Sequence, residues 1–70
     1  MNNIKEYRKM LNLTQGQLSY RLGVSKNTIS SWENGFFNPD LDNIKKLLYI
    51  FRCSFEDLFI DLKGSQGKIV

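Results

Sequence analysis

The chain is predicted to be all-α, one small domain of five helices whose second and third are joined by a very tight turn. Three observations lead there. Apolar residues recur at helical spacing in the segments between breaks. Asn, Thr, Ser and Asp stand where each helix would begin, and Gly23 and Gly35 stand where two of them would end.

In the first segment Ile4, Tyr7, Arg8 and Leu11 fall at i, i+3, i+4 and i+7, an apolar face with an arginine in it. Asn3 is the expected N-cap, paired with Glu6 three residues on. Thr14 opens the second segment with Gln17 in the capping-box position; Leu18 and Leu22 point inward and Gly23 stops it. Ser25 caps a third segment carrying Ile29 and Trp32 inward and ending at Asn34-Gly35. Phe36-Phe37-Asn38-Pro39 is a loop, because proline drives the residue before it out of the helical region.

Asp40 caps the fourth segment, with Leu41, Ile44, Leu47, Leu48 and Phe51 along one face. Ser54 caps a short fifth with Phe55, Leu58 and Phe59, and Asp57 at its third position. There is no internal repeat. Gly64-Ser65-Gln66-Gly67 breaks the pattern, so residues 60–70 are expected as a tail, either frayed or closing a small hairpin against 59–62.

With 41% hydrophobic and 13% aromatic residues the chain can form a core, though a thin one, since a domain this short buries only about 60% of its unfolded surface. No run of eighteen apolar residues is present, and the N-terminus lacks the apolar stretch of a signal peptide, so the cytoplasm is the expected location. One cysteine and no histidine leave no internal disulfide, no plausible zinc ligand set and no Ser-His or Cys-His pair. No metal, cofactor or small-molecule ligand is indicated. An enzyme is not expected, because nothing in the spacing of Asp40, Asp42, Glu56, Asp57 and Asp61 forces a catalytic carboxylate pair.

Net charge is +3, and its placement is informative. Residues 1–35 hold Lys5, Arg8, Lys9, Arg21 and Lys26 against Glu6 and Glu33, whereas residues 36–70 balance five bases with five acids. The entire excess lies in the N-terminal half, which suits a polyanionic partner.

The window from Gln15 to Asn34 meets several stereochemical demands together. Two short helices that cross at about 90–120° need a small residue at the crossing, and Ser19 supplies it. Gly23 makes the turn, Val24 plugs beneath it, and Leu18, Leu22, Ile29 and Trp32 form the shared core.

Leu13-Thr14-Gln15 through Trp32-Glu33-Asn34-Gly35, with Pro39, the fourth helix and Ser54-Phe55-Glu56-Asp57-Leu58, resembles the helix-turn-helix domains of the phage repressor and Cro group, the Xre family. The resemblance spans residues 4–59, with the helix-turn-helix motif at 15–34. It implies a lambda-repressor-like fold that binds double-stranded operator DNA, usually as a homodimer, most often to repress transcription.

Roles follow from the resemblance and the chemistry together. Thr14 and Gln15 open a helix whose N–H groups suit a phosphate, and Gly16 beside them adds no repelling side chain. Lys26 is placed to reach guanine, Asn27 to pair with adenine, and Thr28 to offer its methyl to thymine. Ser31 is the better base-facing serine, and Ser25, Ser30 and Asn34 are backbone contacts. Arg8 and Glu33 match a structural ion pair that ties the first helix to the end of the third.

Blander roles stay open beside these. Lys26, Asn27, Ser30 and Ser31 fit any solvated helix face, and Arg21 is either a phosphate contact or simply solvated. Trp32 is expected in the core rather than on DNA, and Cys53 as a buried, inert thiol. Phe55, Leu58, Phe59 and Ile60 are the dimer candidates. A module that holds a protein partner, as an antitoxin does, is the alternative function.

Two departures from the family pattern stand out. Arg52 occupies a helix end where glycine is common, so either it takes positive φ or the turn differs. Phe36-Phe37 replaces a loop that often carries a basic phosphate contact. One of the two is expected to pack under the domain, the other to lie near DNA or the dimer contact.

Overall fold

Every helix start from the second onward is held by a side chain acting on the backbone. In the computed structural model, which describes residues 2–59, Thr14 and Gln17 form a reciprocal capping box: Thr14 Oγ1 accepts from the Gln17 N–H at 3.0 Å and Gln17 Oε1 from the Thr14 N–H at 2.8 Å. Ser25 Oγ accepts from the Thr28 N–H at 3.1 Å and Asp40 Oδ1 from the Asn43 N–H at 3.0 Å. Ser54 and Asp57 repeat the reciprocal box at 3.1 Å in both directions. These caps open helices α2 (Gln15–Leu22), α3 (Lys26–Glu33), α4 (Leu41–Phe51) and α5 (Phe55–Phe59), after α1 (Ile4–Met10). No strand occurs among the described residues.

The first four helices end in the same way. A residue in the left-handed region follows each: Asn12 (φ 58°), Gly23 (φ 75°), Gly35 (φ 80°) and Arg52 (φ 56°). The next N–H then reaches back five residues: Leu13 to Arg8 O at 3.1 Å, Val24 to Ser19 O at 3.1 Å, Phe36 to Ser31 O at 2.9 Å, and Cys53 to Leu48 O at 3.2 Å. This is the Schellman arrangement, which satisfies carbonyls the helix leaves open. Arg52 therefore accepts positive φ rather than altering the turn.

One core joins all five helices: Ile4, Leu18, Leu22, Ile29, Trp32, Leu47, Phe51 and Leu58. Tyr7 stacks on Phe51 with ring centroids 5.6 Å apart. Ser19 is buried at the α2–α3 crossing, its hydroxyl donating to Gly16 O at 2.8 Å. Val24 packs against this core beneath the turn.

Several expected details differ. Asn3 makes no cap hydrogen bond; its amide donates to Asp57 O at 2.9 Å, and Asn2 Oδ1 accepts from the Ile4 N–H instead. Together with the Asn3 N–H on Leu58 O at 2.7 Å, this ties the N-terminus to α5, a long-range use of the side chain that local spacing does not reveal. Leu11 and Leu41 are exposed, because each lies at a helix end beyond the buried stripe. Cys53 is half-buried rather than buried. Residues 60–70, with the expected tail or hairpin, lie outside the described residues.

Candidate nucleic-acid interface

The α2–α3 unit presents two surfaces. At the start of α2 the capping box occupies the Thr14 and Gln17 N–H groups, leaving those of Gln15 and Gly16 at the positive end of the helix. A Cβ on Gly16 would stand 3.8 Å from Thr14 Oγ1, so glycine is not needed there to relieve crowding.

The outward face of α3 is the second surface. Lys26 and Asn27 are exposed in its first turn, and Ser30 and Ser31 are half-exposed one turn on. Ile29 and Trp32 on the opposite side are buried. Thr28 is half-buried and its hydroxyl lies 2.9 Å from that of Ser25, so both hydroxyls are engaged in closing the helix start. Exposed Asn34 sits at the far end, its amide 3.4 Å from Ser30 Oγ.

A buried polar cluster locks these surfaces together. Glu33 accepts from Arg8 Nε at 2.7 Å and Arg8 Nη2 at 3.2 Å, a forked pair, while Arg8 Nη1 donates to Leu13 O at 2.7 Å. The two side chains are only 10% and 3% exposed. Gln15 Nε2 completes the cluster by donating to Glu33 Oε1 at 3.0 Å. The first residue of α2, the last of α3 and the middle of α1 thus meet at one carboxylate. An amide nitrogen has two protons, so Gln15 keeps one donor for another acceptor. Arg8 is spent internally, and its charge is matched by Glu33.

The remaining site candidates are scattered. Arg21 lies in the last turn of α2, about 9 Å along the axis from Gln15 at 1.5 Å per residue. It lines a groove with Lys45, Lys46, Tyr49 and Ile50 that sequence reasoning did not foresee, since these α4 residues have no motif of their own. Phe36 and Phe37 are both exposed, at 74% and 68%, and neither packs under the domain: the bond from the Phe36 N–H to Ser31 O holds the loop over the end of α3 with its rings outward. Leu58 is fully buried and has no surface to offer a partner copy. Phe55 is exposed, Phe59 half-buried, and their rings lie 4.7 Å apart; Ile60 is outside the described residues.

The chain matches the helix-turn-helix family over residues 4–58. It belongs to that family, in its Xre and Cro-like branch. Among its relatives is an uncharacterized HTH-type transcriptional regulator of Archaeoglobus fulgidus, 42% identical over 57 residues that cover 81% of this chain and 80% of the relative. Another, of Methanocaldococcus jannaschii, is 42% identical over 59 residues, covering 84% and 89%. The HTH-type transcriptional activator BcrR of Enterococcus faecalis is 34% identical over 55 residues, 79% of this chain but 27% of BcrR. No helix of the described helix-turn-helix domain is long and apolar enough to cross a membrane.

Proposed function

We propose that this helix-turn-helix protein is a sequence-specific, DNA-binding transcriptional regulator of the cytoplasm that inserts α3 into the major groove. The observation that carries the reading is the Arg8–Glu33–Gln15 cluster. It fixes the start of α2, which would sit on a phosphate, relative to α3, which would face the bases. Phosphate contacts position such a helix and base contacts specify the sequence.

Lys26 and Asn27 carry the base contacts, with the Thr28 methyl and Ser31 beside them. The Thr14 and Gln15 end of α2, Ser25, Ser30 and Asn34 hold the backbone. Arg21, at the opposite end of α2 from Gln15, is the weakest member of this set.

One recognition helix spans too few base pairs for a unique site, so the working unit is a homodimer on a pseudo-palindromic operator, with half-sites about 34 Å apart. The pairing of exposed Phe55 with half-buried Phe59 on α5 supports a two-fold contact there. Occupying a promoter-proximal operator would repress by excluding polymerase. Titration of operator DNA against Lys26→Ala and Asn27→Ala tests the assignment: both should lose sequence preference, and parent-like specific binding by both rejects α3 as the reading helix. Steep weakening with salt separates this reading from a module that holds a protein through an apolar contact.

A further inference from the structure

We propose that the groove between α2 and α4 is a second binding surface, taking an acidic segment of a partner protein anchored by one large apolar side chain. The groove is lined by Arg21, Lys45, Lys46, Tyr49 and Ile50 and encloses about 550 Å³. Tyr49 is 83% exposed. It also lines an adjoining hollow with Arg52, so three cations share the groove with this ring and a fourth lines the hollow beside it.

None of the four is in an ion pair: the one salt bridge among the described residues is Arg8–Glu33. Lys46 Nζ reaches Leu22 O at 3.4 Å, a weak contact with the C-terminal end of α2. The fold gains little from holding like charges around a solvated ring. The reading surface at the start of α2 and on α3 uses neither the two lysines nor Arg52, and Arg21 is only its weakest member. An occupant with carboxylates would neutralise the cations, and an apolar side chain would cover Tyr49 and Ile50. Tyrosine and arginine are the residues that most often dominate protein interfaces, and complementary charge sets which partner arrives. A phosphate backbone would satisfy the charges but leave the apolar lining bare, which favours protein over nucleic acid.

The test is an NMR titration of the full chain with a short synthetic peptide in which Asp and Glu residues flank a single Phe. Amide shifts should saturate at Arg21, Lys45, Lys46, Tyr49 and Ile50 and leave Lys26 and Asn27 unmoved. Tyr49→Ala and Lys45→Glu, both at exposed positions and checked for retained helicity, should each weaken binding about tenfold. Replacing the peptide's Phe by Ser should weaken it similarly. The proposal is overturned if no saturable shifts gather at the groove or if the Ser peptide binds equally well. It is also overturned if non-specific duplex DNA moves the same amides and loses affinity for Lys45→Glu, which would give the groove to nucleic acid. Lys26→Ala should bind the peptide like the parent, so failure of the DNA-reading assignment and failure of this one are told apart.

Discussion

Arg8 and Glu33 form a forked ion pair, with Arg8 Nε 2.7 Å from Glu33 Oε2, almost wholly removed from solvent. A charge buried this way is costly to leave alone. Removing one partner of such a pair typically destabilises by about 3–5 kcal/mol, whereas replacing both by apolar residues of similar volume is often nearly neutral. Arg8→Met and Glu33→Leu should therefore each lower the urea midpoint severely, and the double variant Arg8→Met/Glu33→Leu should recover much of the loss. Near-additive losses in that cycle would show that the two residues do not act as a pair.

Arg52 holds φ 56° at the end of α4 without the freedom of glycine. The left-handed conformation costs a residue with a Cβ about 1–2 kcal/mol, part of which glycine gives back through unfolded-state entropy. Arg52→Gly should raise stability by about 0.5–1 kcal/mol in chemical denaturation. Asn12→Gly, at φ 58°, should gain less, because asparagine tolerates this region. Equal gains, or none at Arg52, would remove strain from the account of this turn.

Gly16 occupies the first turn of α2 with room for a methyl group. Gly16→Ala should stabilise the fold by up to about 1 kcal/mol through helix propensity. If a phosphate approaches the Gln15 and Gly16 N–H groups, the same substitution should weaken DNA binding at every sequence alike. A more stable variant with unchanged DNA affinity would move the phosphate contact elsewhere.

The Cys53 thiol is pushed up from its ordinary pKa by burial first and by the nearby Asp57 carboxylate second. Since the thiolate is the nucleophile, alkylation by iodoacetamide should be slower than for a free cysteine near neutral pH, its rate rising only at higher pH than for the unfolded chain. Fast labelling of the folded protein at pH 7 would contradict that environment.

The fold was largely legible because capping residues and helical period are local signals. Thr14–Gln17, Ser25, Asp40 and Ser54 all cap where their positions in the sequence suggest. Long-range choices were not legible. Asn3 gives its amide to Asp57 O, fifty-four residues away, and nothing in residues 3–6 distinguishes that from a cap. The ends of apolar stripes misled for a similar reason: Leu11 and Leu41 keep the period but extend past the core.

At the candidate site, the residue types on α3 were readable from the motif. The turning of the Gln15 amide toward Glu33 was not, because it depends on how α2 and α3 cross. The cationic groove has no signature in the sequence, because Arg21 and Lys45 come to line one groove only once α2 packs on α4.

In-vitro selection of bound duplexes by the full chain, run in parallel with Lys26→Ala and Asn27→Ala, bears most directly on the central claim. The parent should enrich a two-fold-related site with half-sites about one helical turn apart. Each variant should lose preference at its own symmetry-related positions, at a cost of about 1–3 kcal/mol for the base concerned. Failure to enrich any sequence, or variants that recover the parent's site unchanged, would contradict the assignment of α3 as the element that reads DNA.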